Sequence, residues 1–582
     1  MSLSELVPPQ TPVDETERGR GHRGLRRPQF SSEFLVAGVV VVVVAFLSLV
    51  PVIYLLAGTF FPRGSFTLEV FREAYSSDLL LDMVKNSLIY SVGSTVLATV
   101  VGTGLAYLVA RTDVPMKSLA YAAALVPMII PGVLHTIAWI FLGSPQIGAV
   151  NKLLEPVLGP GFFNIFSMGG MIFVEGIHMA PLTFLLMFAA FKNMDPALEE
   201  AALMSGSKPI SVFFRVTLPL VKPALALSTL ILFIRAFASF EVPALLGQSS
   251  GIWVFTSRIY FALSGYPADY GTAGAYSVGM LTILAAFTVW QARLNKNAKS
   301  YQTISGKGFR PSTVPLRGFR RVAGAGVLVY FVITSLLPVL MLVYSSLLGY
   351  YAPPSLSAFG RMEFTNYVDL FDSPKTVSAF TNSILLAVGS ATIIMLLTAV
   401  IAWLVVRGRV RGGAVLNGLA MVPIGIPGLI LGVAMLFFYL RVPLPIYGTL
   451  LILLISYVTV FLPFGLSYAT SAMFQISAQL EESAKVSGAS WFYLFRRVTL
   501  PLLMPGLVAG WTFIVLVAVR ELGASLLLYS PGDEVLSVVI WQQWSEGRMG
   551  QLSALGVVMI AMLALLVAGA RKLGANVGVQ SP

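Results

Sequence analysis

The chain has 582 residues, 57% of them hydrophobic and 11% charged, with a mean hydropathy of +0.83. Soluble domains carry about 25% charged residues, so this composition excludes a soluble globular protein, and recurrent apolar stretches of roughly 20 residues indicate a polytopic membrane protein. The absence of cysteine excludes disulfides, thiolate metal sites and cysteine nucleophiles, and the net charge of +12 falls in clusters beside apolar runs rather than on a nucleic-acid-binding face.

Residues 1–33 form a basic tail containing Arg18, Arg20, Arg23, Arg26 and Arg27. Its composition predicts disorder. It is not a cleavable signal, because about thirty polar residues precede the first apolar run. Apolar spans are expected near 34–58, 84–110, 118–142, 167–191, 223–247 and 270–290. A basic linker, 291–321, follows. A second set of spans is expected near 322–347, 379–406, 414–440, 447–471, 506–529 and 549–570, before a short tail at 572–582. The basic clusters follow the positive-inside bias, which places the linker and both termini in the cytoplasm. The expected fold is an all-α polytopic membrane protein of about twelve transmembrane helices, arranged as two halves of about six each, 34–290 and 322–571.

The halves repeat each other. NSLIYSVGSTVLATVVGTGLAYLVAR (86–111) parallels NSILLAVGSATIIMLLTAVIAWLVVR (382–407), and VPMIIPGVL (126–134) parallels VPIGIPGLI (422–430), both at an offset of 296. LEEAALMSGSKPISVFFRVTLPLVKP (198–223) aligns without a gap on LEESAKVSGASWFYLFRRVTLPLLMP (480–505) at an offset of 282. The 14 residues missing from the second half are expected in the external connection after the third span, where a loop tolerates deletion. Six spans return the chain to its starting side, so the repeats are parallel and a pathway is expected at their interface.

The third pair of repeats is polar. In the first copy Asp195 is a helix cap and Pro196 suits the first turn. Glu199 and Glu200 stand where the helix dipole favours anions, Ala201 and Ala202 are strong helix formers, and Gly206 supplies a left-handed stop. A helix is expected to restart over Lys208–Val216, near basic Arg215, before Pro219 and Pro223 mark the return to the membrane. The second copy repeats this pattern with Ser477 as cap, Glu481, Glu482, Ala484, Gly488 as elbow, Arg496, Arg497 and Pro501. No phosphate-binding G-x-x-x-x-G-K-[ST] loop occurs; Ser305-Gly306-Lys307-Gly308 lacks the upstream glycine and the final hydroxyl residue. His22, His135 and His178 are too few and too scattered in sequence for a histidine metal cage.

The pattern E-A-A-x(3)-G-x(9)-[IV]-x-L-P resembles the cytoplasmic loop of permease subunits of binding-protein-dependent ABC importers. The first copy matches as Glu200, Ala201, Ala202, Gly206, Val216, Leu218 and Pro219. The second matches as Glu482, Ala484, Gly488, Val498, Leu500 and Pro501, departing at Ser483. The resemblance implies that Glu199, Glu200, Ala201, Ala202, Gly206, Arg215 and Pro219, with Glu481, Glu482, Ala484, Gly488, Arg497 and Pro501, belong to two docks for two copies of an ATPase subunit. That partner would bind ATP and Mg, leaving this chain without catalysis or a cofactor of its own. It further implies an extracytoplasmic binding protein and a place in the bacterial cytoplasmic membrane. The fusion of both halves, WVFTSRIYFALSGYPADYGTAGAYSVGML (253–281), VRELGASLLLYSPGDEVLSVVIW (519–541) and the Pro-rich third spans resemble the ferric-iron group, related to thiamine and phosphonate permeases.

Charges within the spans mark a pathway or a structural pairing, because ionisable groups at membrane depth are expensive. These are Glu175, Arg235 and Glu241 in the first half and Arg520 and Glu521 in the second, with the two later glutamates at an offset of 280. Ferric iron in transit near Glu241 and Glu521 would suit hard oxygen donors. Within the family the alternative cargo is thiamine, phosphonate or another small solute; an ion-coupled secondary transporter is the alternative from another class, but such a carrier needs no ATPase dock.

Overall fold

The computed structural model describes residues 32–195, 197–298, 313–408, 412–446 and 448–572. The sequence expectations for most of the basic tail, Pro196, the centre of the linker including Ser305 and the last ten residues lie outside this set. The described chain is built from helices. Nine are long and apolar enough to cross a membrane, and three bent pairs bring the count to twelve if each pair is one span. The protein is an all-α polytopic membrane protein.

In chain order the first half contributes Leu35–Phe60, Leu79–Arg111, the pair Lys117–Ile129 and Gly132–Gly143, Met168–Lys192, the pair Ile210–Leu220 and Lys222–Ala238, and Tyr270–Gln291. The second contributes Arg317–Ser346, Pro374–Val406, the pair Gly413–Gly425 and Gly428–Tyr439, Leu450–Gln475, Trp491–Val519 and Met549–Ala570. The six-per-half count and most positions agree with the apolar pattern. The third spans do not run straight as the pattern suggested: they bend by 107° and 106°. The cause is local. Ile130 and Ile426 precede prolines and are extended, with ψ of 121° and 113°, since a residue before proline is driven out of the helical region. Pro131 and Pro427 then open the second segments at Gly132 and Gly428. Hydropathy alone cannot report a bend inside an apolar run.

The fifth span of the first half is also shorter than expected. Its helix ends at Ala238, and a π-helical turn, Pro243–Gly247, follows. The extra length of the first half lies where the repeat offset placed it, between the third and fourth spans, and forms the short helix Ala149–Leu158.

The halves interlock through their first spans. Leu35–Phe60 packs along Gly428–Tyr439 of the second half, while Arg320–Phe331 packs on Lys117–Ile129 and Leu337–Ser346 on Gly132–Gly143 of the first. Polar contacts fix both crossings: Arg441 donates to the Tyr54 carbonyl at 3.4 Å, and Tyr351 donates to the Phe141 carbonyl at 2.6 Å. Gly58 is required at its crossing, because a Cβ there would stand 2.0 Å from the Phe437 ring. Each broken third span is therefore braced by a helix from the opposite half.

Candidate functional site: two repeated loops and a charged junction

The polar loops form as their composition dictates. Asp195 Oδ1 accepts the Ala197 N–H at 2.9 Å, and Ser477 Oγ accepts the Gln479 N–H at 3.3 Å. Short helices follow, Ala197–Met204 and Ala478–Val486. Both end at glycines in the left-handed region, Gly206 at φ +83° and Gly488 at φ +80°. The chain then returns toward the membrane through π-helical turns at Phe213–Thr217 and Phe495–Thr499. The expected stop near Arg215 does not occur, because the π turn carries the helix on to Leu220.

Glu199 and Glu481 are turned inward. Arg111, at the end of the second span, donates through Nε to Glu199 Oε2 at 3.1 Å and through Nη2 to the same oxygen, while Thr217 donates to Oε1. The two charged side chains are 3% and 2% exposed. The second half repeats the arrangement. Arg407 donates to Glu481 Oε1 at 3.0 Å and to the Ile476 carbonyl at 2.9 Å, and Thr499 reaches the same carboxylate oxygen at 3.4 Å. A buried pair of this kind holds only when both partners are present and hydrogen-bonded. The arginines were absent from the sequence-derived site, although both repeated segments, 86–111 and 382–407, end on them.

Other loop residues face outward. Glu200, Ala201, Gly206, Arg215 and Pro219 are exposed, as are Glu482, Gly488, Arg497 and Pro501; Ala202 and Ala484 are half-buried. Beside them large apolar side chains are exposed at matching positions: Leu198 and Leu480, Met204 (89%) and Val486 (90%), Ile210 and Phe492. Composition could not locate this face, since apolar residues in a short loop read equally well as a contact with the membrane.

The intramembrane charges converge where the halves meet. Glu241 lies against Gly132 and Glu521 against Gly428, so each carboxylate stands at the break within a third span, where its second segment begins. Glu521 Oε1 also accepts the Ala524 N–H at 2.8 Å. Arg520 donates across the junction to the Met128 carbonyl of the first half. Arg235, in the last turn of Lys222–Ala238, is exposed, with Glu175 and Glu241 in electrostatic range. Among the described residues none of these five charges forms a direct ion pair with another. Glu175 is buried against Tyr90 and Ser239, and Tyr457 occupies its place in the second half, 2.8 Å from Ser525 Oγ. His135 and His178, distant in sequence, are neighbours with ring centroids 4.9 Å apart. No group of three or more His, Asp or Glu residues suited to a metal ion occurs among the described residues.

The halves also touch through aromatic rings. Tyr260 and Trp541 occupy matching places on Phe255–Ser264 and Leu536–Ser545. Trp541 Nε1 donates to Tyr260 Oη at 3.1 Å, and the Phe240 ring lies 5.3 Å from the Trp541 ring.

A family model described as the inner membrane component of binding-protein-dependent transport systems matches residues 83–300. A ferric transport system permease protein, FbpB, of Actinobacillus pleuropneumoniae is 25% identical over 517 residues, 87% of this chain and 73% of that protein. An Fe(3+)-transport system permease protein, FbpB 2, of Haemophilus influenzae is 24% identical over 81% of this chain and 85% of its own. PhnV of Salmonella paratyphi A, whose name refers to 2-aminoethylphosphonate transport, is 30% identical over 40% of this chain and 85% of its own.

Proposed function

We propose, for a chain that belongs to the family of inner-membrane components of binding-protein-dependent transport systems, that it couples two ATPase subunits to the import of ferric iron. It is a multi-pass membrane protein and the permease of an ABC importer. The carrying observation is the matched outward display of Leu198, Met204 and Ile210 on one loop and Leu480, Val486 and Phe492 on the other. Exposed apolar groups ringed by polar ones mark protein interfaces. Two equivalent faces suit two copies of one partner, whereas an ion-coupled carrier has no use for them.

In this reading each ATPase binds ATP and Mg and pushes on one loop. Arg111–Glu199 and Arg407–Glu481 transmit that push to the second spans, because a buried charge pair resists separation. The permease chain contributes no cofactor and no catalytic group. Its halves, 34–290 and 322–571, move against each other and open the junction lined by Glu175, Arg235, Glu241, Arg520 and Glu521 alternately to either side. The contact of Tyr260 with Trp541 closes the external side while the inner side is open. An external binding protein delivers cargo there, and both termini and the linker face the cytoplasm with the basic clusters.

Ferric iron is favoured over 2-aminoethylphosphonate because the ferric relatives match along both halves, and PhnV along 40% of the chain. The test is co-purification with the ATPase and binding-protein subunits, followed by the native mass of the complex and the identity of the bound ligand. Two ATPase copies and iron on the binding protein are expected. A permease that purifies without an ATPase, or a binding protein loaded with a phosphonate, overturns the corresponding half of the reading.

A further inference from the structure

A cleft opens in the second half, on the membrane face opposite the two repeated loops. It lies where the connection between the first and second spans meets the connection between the fifth and sixth. Its walls come from Thr365–Asp372, the start of Pro374–Val406, the end of Leu536–Ser545 and the turn into Met549–Lys572. The free volume is about 120 Å³. Small-molecule sites run to about 300–1,000 Å³, so the space suits the head of one side chain rather than a cargo molecule.

The lining is polar except for Leu370 and Val539, and its charges are mostly spent. Arg548 closes on Glu546 at 3.0 Å, and Lys375 reaches Glu534 at 3.8 Å. What remains accepts hydrogen bonds. Gln542 gives an amide N–H to the Tyr529 hydroxyl at 3.1 Å, and its oxygen is buried without a partner among the described residues. The Gln543 oxygen is buried and unpartnered in the same way. The exposed Asp369 carboxylate takes one hydrogen bond among the described residues, from the Gln551 amide at 3.5 Å. Buried acceptors without donors are uncommon in folded proteins. An ammonium or guanidinium group supplies donors alone and balances the carboxylate.

The first half does not repeat this chemistry. At the offset of 281 that pairs Tyr260 with Trp541, Gln542 and Gln543 fall on Phe261 and Ala262. At the offset of 296, Lys375 and Thr376 fall on Leu79 and Leu80. The fold therefore forms without these polar groups, and their presence in one half needs another reason. Gln542 also follows Trp541, which donates to Tyr260 of the first half. A side chain held in the cleft acts on the helix that carries this contact.

We propose that the cleft receives a lysine or arginine side chain of the external binding protein, so that docking is anchored on the second half and fixes one orientation of that protein on the chain. This rests on the importer reading above.

The permease–ATPase complex in lipid nanodiscs is titrated with the binding protein that co-purifies with it. Asp369→Lys puts a cation at the cleft and should weaken binding about tenfold or more, since like charges repel across an interface. Glu73→Lys makes the same reversal at the matching exposed position of the first half and should leave affinity near wild type. Gln542→Leu with Gln543→Leu should also weaken binding. Co-elution of the ATPase checks assembly; if the leucine pair fails to assemble, the two charge reversals decide. Gln543→Cys, the single thiol of the chain, carries a photo-crosslinker that should capture a binding-protein segment containing Lys or Arg. Unchanged affinity in Asp369→Lys, equal weakening by both reversals, or capture of a segment without Lys or Arg overturns the socket while the importer reading stands. A wild-type complex that binds no external protein removes the importer reading and the socket with it.

Discussion

Glu199 and Glu481 stand 282 positions apart and make the same contact, each held by the arginine that ends the second span of its own half. The loop is thereby fixed to a membrane helix through a buried charge pair rather than by apolar packing alone. Removing one partner leaves the other buried and uncompensated, at a cost of roughly 3–5 kcal/mol. Glu199→Ala should therefore lower the midpoint of thermal unfolding in detergent. Arg111→Met combined with Glu199→Leu should recover much of the loss. Additive destabilisation in the double variant would show that the pair is not coupled.

Gly206 and Gly488 test the elbows. Both have positive φ, and a Cβ on either meets nothing within 4 Å. The cost of a substitution there is backbone strain and not a clash. A β-branched residue in this conformation costs of order 1–2 kcal/mol, while asparagine tolerates it. Gly206→Val with Gly488→Val should lose substrate-stimulated ATP hydrolysis, and the Asn pair should keep most of it. Equal behaviour of the two pairs would remove the elbow from the coupling path.

The outward faces are tested by charge. Met204→Asp and Val486→Asp alter side chains that are 89% and 90% exposed, so the fold should be unaffected. Each should weaken ATPase binding by about 1–3 kcal/mol if the side chain sits at the centre of an interface. Pull-down with purified ATPase reads this directly. Retention of both ATPase copies by the double variant would move the dock elsewhere.

Topology is accessible because the chain lacks cysteine, so a single introduced thiol reports without background. Ser487 and Ser357 are both exposed. Ser357→Cys should react with an impermeant reagent added to intact cells, and Ser487→Cys only after the membrane is opened. The reverse pattern would invert the whole arrangement.

The repeat, the six spans per half, the capped loops and both glycine elbows could be read from residues, because each rests on local rules of pattern and backbone. The inward orientation of Glu199 and Glu481 could not: it depends on which face of a short helix meets Arg111 and Arg407, some 70 to 90 positions away in sequence. The bends at Pro131 and Pro427 were not read from the apolar pattern, although a Pro-Gly step marks each of them, because hydropathy does not register a change of direction inside an apolar run. The meeting of His135 with His178 had no sequence signal at all.

ATP-driven import through this chain is tested most directly by reconstitution. Vesicles holding the permease and ATPase, with ATP on the ATPase side and ferric-loaded binding protein on the other, should accumulate iron at a rate that vanishes without either ATP or binding protein. Iron accumulation driven by a proton or sodium gradient in the absence of ATP would contradict the account.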